Sequence, residues 1–119
     1  MAVLKVRKLY ADAHPPQRCT DGATGLDLFA YIKEGQVTLG KTPRLIGTGI
    51  ALEVPKGYDA QIRPRSGLSA KGVLVAFGTI DSDYRGEVVV TMYTIGGDSS
   101  FEVRHGDRMA QLVVGKLAD

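Results

Sequence analysis

The sequence predicts an all-β fold, and three features carry that reading. Fifteen glycines and five prolines break the 119 residues into short pieces. Between them lie strand-like runs, with turn residues roughly every eight to twelve positions. Nothing in the chain has the length and periodicity of an amphipathic helix. Short strands at this spacing are those of a β-sandwich or β-barrel, and the length is that of one domain, residues 1–119.

Taken in order, Leu26, Leu28 and Ala30 alternate with Asp27, Phe29 and Tyr31 in a first strand. Residues 46–54 form a second, closed by the turn Pro55-Lys56-Gly57. Tyr58–Arg63, 73–77 and 87–95 follow. Gly96-Gly97-Asp98 turns the chain, Phe101 and Val103 resume it, His105-Gly106-Asp107 turns it again, and 108–114 is the last strand. Only residues 66–71 could hold a helical turn. Val88-Val89-Val90 is apolar at three successive positions, which predicts a strand covered on both faces by a second sheet or by another subunit.

Composition excludes several functions. Apolar residues at 44% and charged residues at 24% describe a soluble globular chain rather than a disordered one. A net charge of +2 argues against a nucleic-acid binder. No apolar run approaches the ~18 residues of a membrane span. Charge interrupts the first seven residues too early for a signal peptide, so cytoplasmic residence is expected. One cysteine, Cys19, cannot form an internal disulfide, which fits a reducing compartment; a lone cysteine is more often structural than nucleophilic. His14 and His105 have neither metal-ligand nor triad spacing, and no glycine-rich dinucleotide or P-loop motif is present.

Four segments carry candidate chemistry. In Arg63-Pro64-Arg65-Ser66-Gly67-Leu68, Pro64 stiffens the backbone, Ser66 is a natural N-cap, Gly67 permits close approach, and Arg65 offers a planar bidentate donor for phosphate. A capped turn with two solvated arginines is the plain alternative. Gly78 to Glu87, read G-T-I-D-S-D-Y-R-G-E, suggests a hairpin tip with two acids. Ile80 beside Asp81 would set a carboxylate against apolar surface, where a base is poised nearer neutrality. Period 2 leaves Asp81 and Asp83 equivalent, and Tyr84 could equally be a packed cross-strand aromatic. Asp27, in Gly22 to Leu28, is a carboxylate among apolar neighbours that needs a partner such as Arg65. Gly106-Asp107-Arg108-Met109-Ala110-Gln111 puts Arg108 and Gln111 on opposite faces of a strand by parity. A phosphate cradle near a carboxylate base is the equipment for hydrolysing a phosphoric anhydride.

In their order and spacing these segments resemble the trimeric dUTPase family, deoxyuridine 5′-triphosphate nucleotidohydrolases, from about Leu4 to Val114. Ala23-Thr24-Gly25-Leu26-Asp27-Leu28, Arg65-Ser66-Gly67-Leu68, Gly78 to Glu87 and Gly106 to Gln111 are similar to its first four motifs. The sequence to Asp119 contains no counterpart of the fifth, a glycine-rich C-terminal arm with an arginine and a phenylalanine that closes over the nucleotide; this reads as a truncated or processed chain or an atypical member. The segment between Ser66 and Asp81 is also slightly shorter than the family's.

The resemblance implies a distorted jelly roll and a homotrimer with sites between subunits, the third motif coming from one chain and the first, second and fourth from a neighbour. It implies hydrolysis of dUTP to dUMP and pyrophosphate by water attacking the α-phosphorus. Asp81 would be the general base. Arg65, Ser66, Gly67 and Gln111 would hold phosphate oxygens, and Asp27 would support them. Tyr84 would pack beneath the deoxyribose and exclude a 2′-hydroxyl. Main-chain groups of a hairpin between Val75 and Tyr84, Gly78 and Thr79 among them, would read uracil. Mg²⁺ would be held by substrate phosphates and water rather than by protein ligands. Two rivals are a dCTP deaminase, alone or bifunctional, and a nucleotide- or protein-binding module of reduced turnover.

Overall fold

The computed structural model describes residues 2–96 and 99–118. Gly97 and Asp98, two of the three residues of the expected turn at 96–98, lie outside it. In chain order the elements are β1 (Lys5–Lys8), β2 (Gln17–Arg18), β3 (Leu26–Phe29), β4 (Gln36–Leu39), β5 (Arg44–Glu53), β6 (Tyr58–Arg63), α1 (Ser66–Ser69), β7 (Val73–Val75), β8 (Gly78–Ile80), β9 (Glu87–Thr94), β10 (Phe101–Arg104) and β11 (Arg108–Lys116). The all-β expectation holds, with every pairing antiparallel. One sheet runs β1-β5-β9-β7, a second β2-β3-β11-β6-β8, and β10 pairs with β4. Successive strands switch sheets, which makes the arrangement a distorted jelly roll. No helix of the described residues is long and apolar enough to cross a membrane.

The core fills the space between the sheets. Leu28, Leu39, Ile50, Met92, Met109 and Leu112 are almost wholly buried, each worth ~1.5–3 kcal/mol of transfer free energy. β9 supplies the clearest alternation. Val88, Val90, Met92 and Thr94 point inward, whereas Val89 is 37% exposed. Within one chain, then, the run 88–90 is covered on one face, and this chain's second sheet does not reach Val89.

β5 departs from a regular ladder. Gly47 pairs with Val89 and Ala51 with Glu87, so residues are looped out of β5 between them. Gly49 sits there at φ +70°, in the left-handed region. The polar groups displaced from the ladder find other partners: Glu87 Oε2 accepts the Gly49 amide at 3.0 Å, and the carbonyls of Gly49 and Gly47 accept the amides of Leu9 and Tyr31. The buried Thr48 hydroxyl donates to the Val88 carbonyl at 2.6 Å.

The N-terminal segment is pinned to this bulge by aromatic contacts. Tyr10 stacks on Tyr31 with centroids 4.4 Å apart, His105 meets Tyr31 edge-on at 4.9 Å, and the Tyr31 hydroxyl donates to Asp12 Oδ1 at 2.8 Å. That hydroxyl is the main reason the Asp12 carboxyl lies below its usual range, and the Asp12 carboxylate is the main reason the Tyr31 phenol lies above its own. A depressed carboxyl contributes stability above its unfolded pKa and loses it as pH falls through the folded value. A raised phenol contributes below its unfolded pKa and loses it as pH rises through the folded one. Tyr31→Phe is accordingly expected to lower the urea midpoint near neutrality, with the deficit shrinking in acid as Asp12 protonates. A deficit constant from about pH 7 to about pH 2.5 would contradict this linkage.

Candidate functional site

The first cluster lies on the outer face of the five-stranded sheet. Gln111 pairs with Asp27 of β3 on one side and with Arg63 of β6 on the other, so the three form a row across the sheet. Asp27 is buried, and its two oxygens face two guanidinium groups: Arg65 Nε lies 3.9 Å from Oδ1 and Arg108 Nε 3.8 Å from Oδ2. The expected Arg65–Asp27 partnership is present, with Arg108 as a second partner. Arg108 is not on the face opposite Gln111 that strand parity predicts. Arg108 pairs with Phe29 and Ala110 with Leu28, two residues on, so Met109 is an extra residue in the ladder. This bulge returns Arg108 to the face of Asp27 and Gln111 while Met109 and Ala110 are both buried. Gly25 is tight against Gln111, whose Cβ would lie 3.3 Å from any Cβ added there.

α1 continues this cluster. It begins at Ser66, but the capping position is Arg65, in extended conformation and without a side-chain cap. The expectation that Ser66 caps the turn is thus corrected. Ser69 and Ala70 donate back to the carbonyls of Arg65 and Ser66, and a first turn leaves its own amides without intrahelical partners. Gly67 has open space around it. Arg65, Arg108 and Asp107 border a cavity of about 290 Å³ floored by Leu68, Met92 and Phe101. The Asp107 carboxylate is itself engaged, accepting the Arg104 amide at 2.8 Å.

The second cluster differs from the expected hairpin. β8 pairs with β6 in one sheet, and β7 and β9 pair in the other, so neither 75–84 nor 78–87 is a hairpin. Residues 81–86 cross from one sheet to the other. Period 2 could not reveal this, because pairing partners are a tertiary matter. The crossing is braced internally: Tyr84 N–H donates to the Asp81 carbonyl at 3.1 Å, and Arg85 Nη1 donates to the carbonyls of Ser82 and Tyr84. Arg85 also approaches Glu53 at 3.8 Å. Asp81 and Asp83 are exposed, while Ile80 is buried. The apolar surroundings expected of Asp81 are not supplied by its own chain, since Ile80 points to the opposite face.

Tyr84 is neither a core nor a cross-strand aromatic. It is 46% exposed, and its hydroxyl donates to the Glu87 carbonyl at 2.9 Å. With Gly78, Thr79, Ile62 and Val89 it borders a pocket of about 200 Å³. Gly86 and Glu87, which hold this tyrosine, and Arg108 were not singled out as site residues from the sequence. For Arg108 the available signal was its place in Gly106 to Gln111, the fourth of the segments that carry the resemblance.

Along β6, Gly78 lies one level from the first cluster, its partner Ile62 adjoining Arg63, whereas Asp81 stands apart from it. Arg63 pairs with Gln111 at one end, and Asp81 follows Ile80, whose partner is Ala60. Three residues, about 10 Å, separate these levels, and the chain runs further from Asp81 to reach Arg65. Asp27, Arg65 and Gln111 therefore come together, Gly78, Thr79 and Tyr84 come together, and Asp81 of the same chain does not meet the first group.

Comparison with known proteins gives the geometry a context. The dUTPase family profile matches residues 11–119. The deoxyuridine 5′-triphosphate nucleotidohydrolase of Hydrogenobaculum sp. (strain Y04AAS1) is 47% identical over 115 residues, covering 93% of this chain and 78% of that one. The enzyme of the same name from Anaeromyxobacter sp. (strain Fw109-5) is 48% identical over 121 residues, covering 96% and 80%. A mutant dUTPase from phage phi11 of S. aureus, solved with a coordinated structural Mg(II) ion, superposes with a TM-score of 0.85 over 98% of this chain and 92% of that chain. At 24% identity that likeness speaks for the fold. With the family profile and two relatives of that name agreeing along nearly the whole sequence, this chain belongs to the dUTPase family.

Proposed function

We propose that this protein hydrolyses dUTP to dUMP and pyrophosphate, with water attacking the α-phosphorus, in sites shared between the chains of a homotrimer. The observation that carries the shared site is the separation along β6 of Asp81 from the Asp27–Arg65–Gln111 cluster. A carboxylate that far from the phosphate donors of its own chain serves them only if a neighbouring copy brings them.

In this reading Arg65, Ser66, Gly67 and Gln111 hold phosphate oxygens, and Asp27 aims the two guanidinium groups beside it. Arg63, Arg65 and Arg108 against Asp27 and Asp107 leave an excess of one positive charge, which suits a polyanion. Asp81 takes the proton of the attacking water, and Tyr84 faces the deoxyribose. Main-chain groups along Gly78 and Thr79 read uracil. Mg²⁺ fits as a cation carried by the triphosphate. Both Asp27 oxygens face arginines, the Asp107 side chain is engaged, and among the described residues no three potential ligands stand together. Bound there, the ion neutralises phosphate charge.

A pyrophosphate-release assay with Mg²⁺ across dUTP, dCTP, dTTP and UTP is expected to show turnover of dUTP above the other three. Ammonia release from dCTP would instead favour a deaminase, and dUTP binding without turnover a binding module. The shared site has its own test in mixed assemblies. Asp81→Asn and Arg65→Ala chains, each inactive alone, should regain activity when co-assembled. About a quarter of the sites draw an intact half from each chain if the mixing is random. Mixed assemblies as inactive as their parents would place both residues in one chain's site.

A further inference from the structure

The ring of Tyr84 lies against Gly86. A Cβ added at Gly86 would stand 2.5 Å from Tyr84 Oη, 2.7 Å from Cζ and 3.1 Å from Cε1. Gly86 is not among the glycines with positive φ, so what glycine supplies here is space rather than a special backbone conformation. The phenol fills that space, and its hydroxyl is tied to the Glu87 carbonyl. Glu87 is fixed in turn. Its carboxylate accepts the Gly49 amide and occupies the space where a Gly47 side chain would begin. The tyrosine is thus docked on a point of β9 that is locked to the bulge of β5.

We propose that Gly86 is a specificity-determining positioning residue: the gap it leaves, together with the Glu87 carbonyl, sets the Tyr84 ring at the height from which it excludes a 2′-hydroxyl. The inference rests on the reading of Tyr84 as the residue facing the sugar. It has a distinctive consequence. An added methyl at Gly86 meets the far end of an exposed side chain rather than backbone, so the ring yields and the fold does not. Sugar selection and stability should therefore separate in Gly86→Ala, which a purely structural glycine would not allow.

The test compares kcat and KM for dUTP and UTP, with the melting midpoint, in the unaltered protein, Tyr84→Ala, Gly86→Ala and Tyr84→Phe. Gly86→Ala is expected to lower the dUTP-to-UTP ratio of kcat/KM by at least ~10-fold, part of the ~10²-fold by which a hydroxyl is refused, with a melting midpoint within ~3 °C of the parent. Tyr84→Phe should lower the ratio about fivefold, the net worth of one neutral hydrogen bond. A folded Gly86→Ala protein that keeps the parental ratio while Tyr84→Ala loses it overturns the inference. So does an equal loss of activity on both nucleotides. If Gly86→Ala does not fold, a parental ratio in Tyr84→Phe overturns it instead. A parental ratio in Tyr84→Ala has a different meaning: it removes Tyr84 from the sugar, and the inference with it.

Discussion

Asp81→Asn is expected to lower dUTP turnover by ~10²–10⁴-fold, the usual contribution of a general base, while leaving the melting midpoint and the assembly unchanged. Both halves of that expectation follow from position. Asp81 is exposed, just beyond the end of β8, and its side chain appears in no hydrogen bond or ion pair among the described residues. Replacing it removes no packing and leaves no polar group stranded. Its carbonyl, which accepts the Tyr84 amide, is backbone and survives the substitution. Asp83→Asn is the internal control, because it lies two residues on in the same crossing segment and is exposed as well. The measurement is kcat from pyrophosphate release. A large loss in Asp83→Asn with near-normal turnover in Asp81→Asn would reverse the assignment.

Asp27→Ala is expected to lower kcat/KM for dUTP by ~10²-fold, with a smaller loss of stability. Removing a buried carboxylate from a charged pair can cost 3–5 kcal/mol when the partner stays buried. Here the partners are not: the side chains of Arg65 and Arg108 are 32% and 52% exposed, so water re-solvates them and about 1–2 kcal/mol is the appropriate scale. The functional loss is larger because both guanidinium groups lose the anchor that turns them toward one point, and preorganised donors owe their effect to needing no reorganisation. Asp27→Asn keeps the volume without the charge and should fall between. Steady-state kinetics with thermal melting checks both. A kcat/KM within about twofold of the parent would mean that Asp27 does not organise the phosphate donors.

Much of this was legible along the chain, and the exceptions have physical causes. Tyr58–Arg63 was delimited to the residue, because Gly57 before it and Pro64 after it are local signals. β1 was missed: all four of its residues are exposed, so no alternation betrays it, and what holds it is its pairing with the distant β5. β2 is only two exposed residues; β4 does alternate, with Leu39 buried and Gln36 and Thr38 exposed, but four residues are too brief a run to separate from a loop. At the site, Asp27, Arg65 and Gln111 came together as expected. Arg108 was put on the wrong face because a bulge shifts parity by one, and Met109 is as apolar as any regular strand residue. The supposed hairpin at 78–87 misled because two short strands joined by a polar turn look alike whether they pair with each other or with different sheets.

By itself the sequence determined the strand-rich architecture and the identity of the chemical groups, since turn residues, alternation and motif spacing are properties of neighbours along the chain. Only the tertiary structure decided which faces those groups share. It set two arginines on one buried carboxylate, placed Asp81 more than about 10 Å along β6 from the donors it would serve, and laid Tyr84 across Gly86. Each of these depends on which strands pair and where a ladder slips by a residue, and pairing between distant segments is settled by packing rather than by local preference.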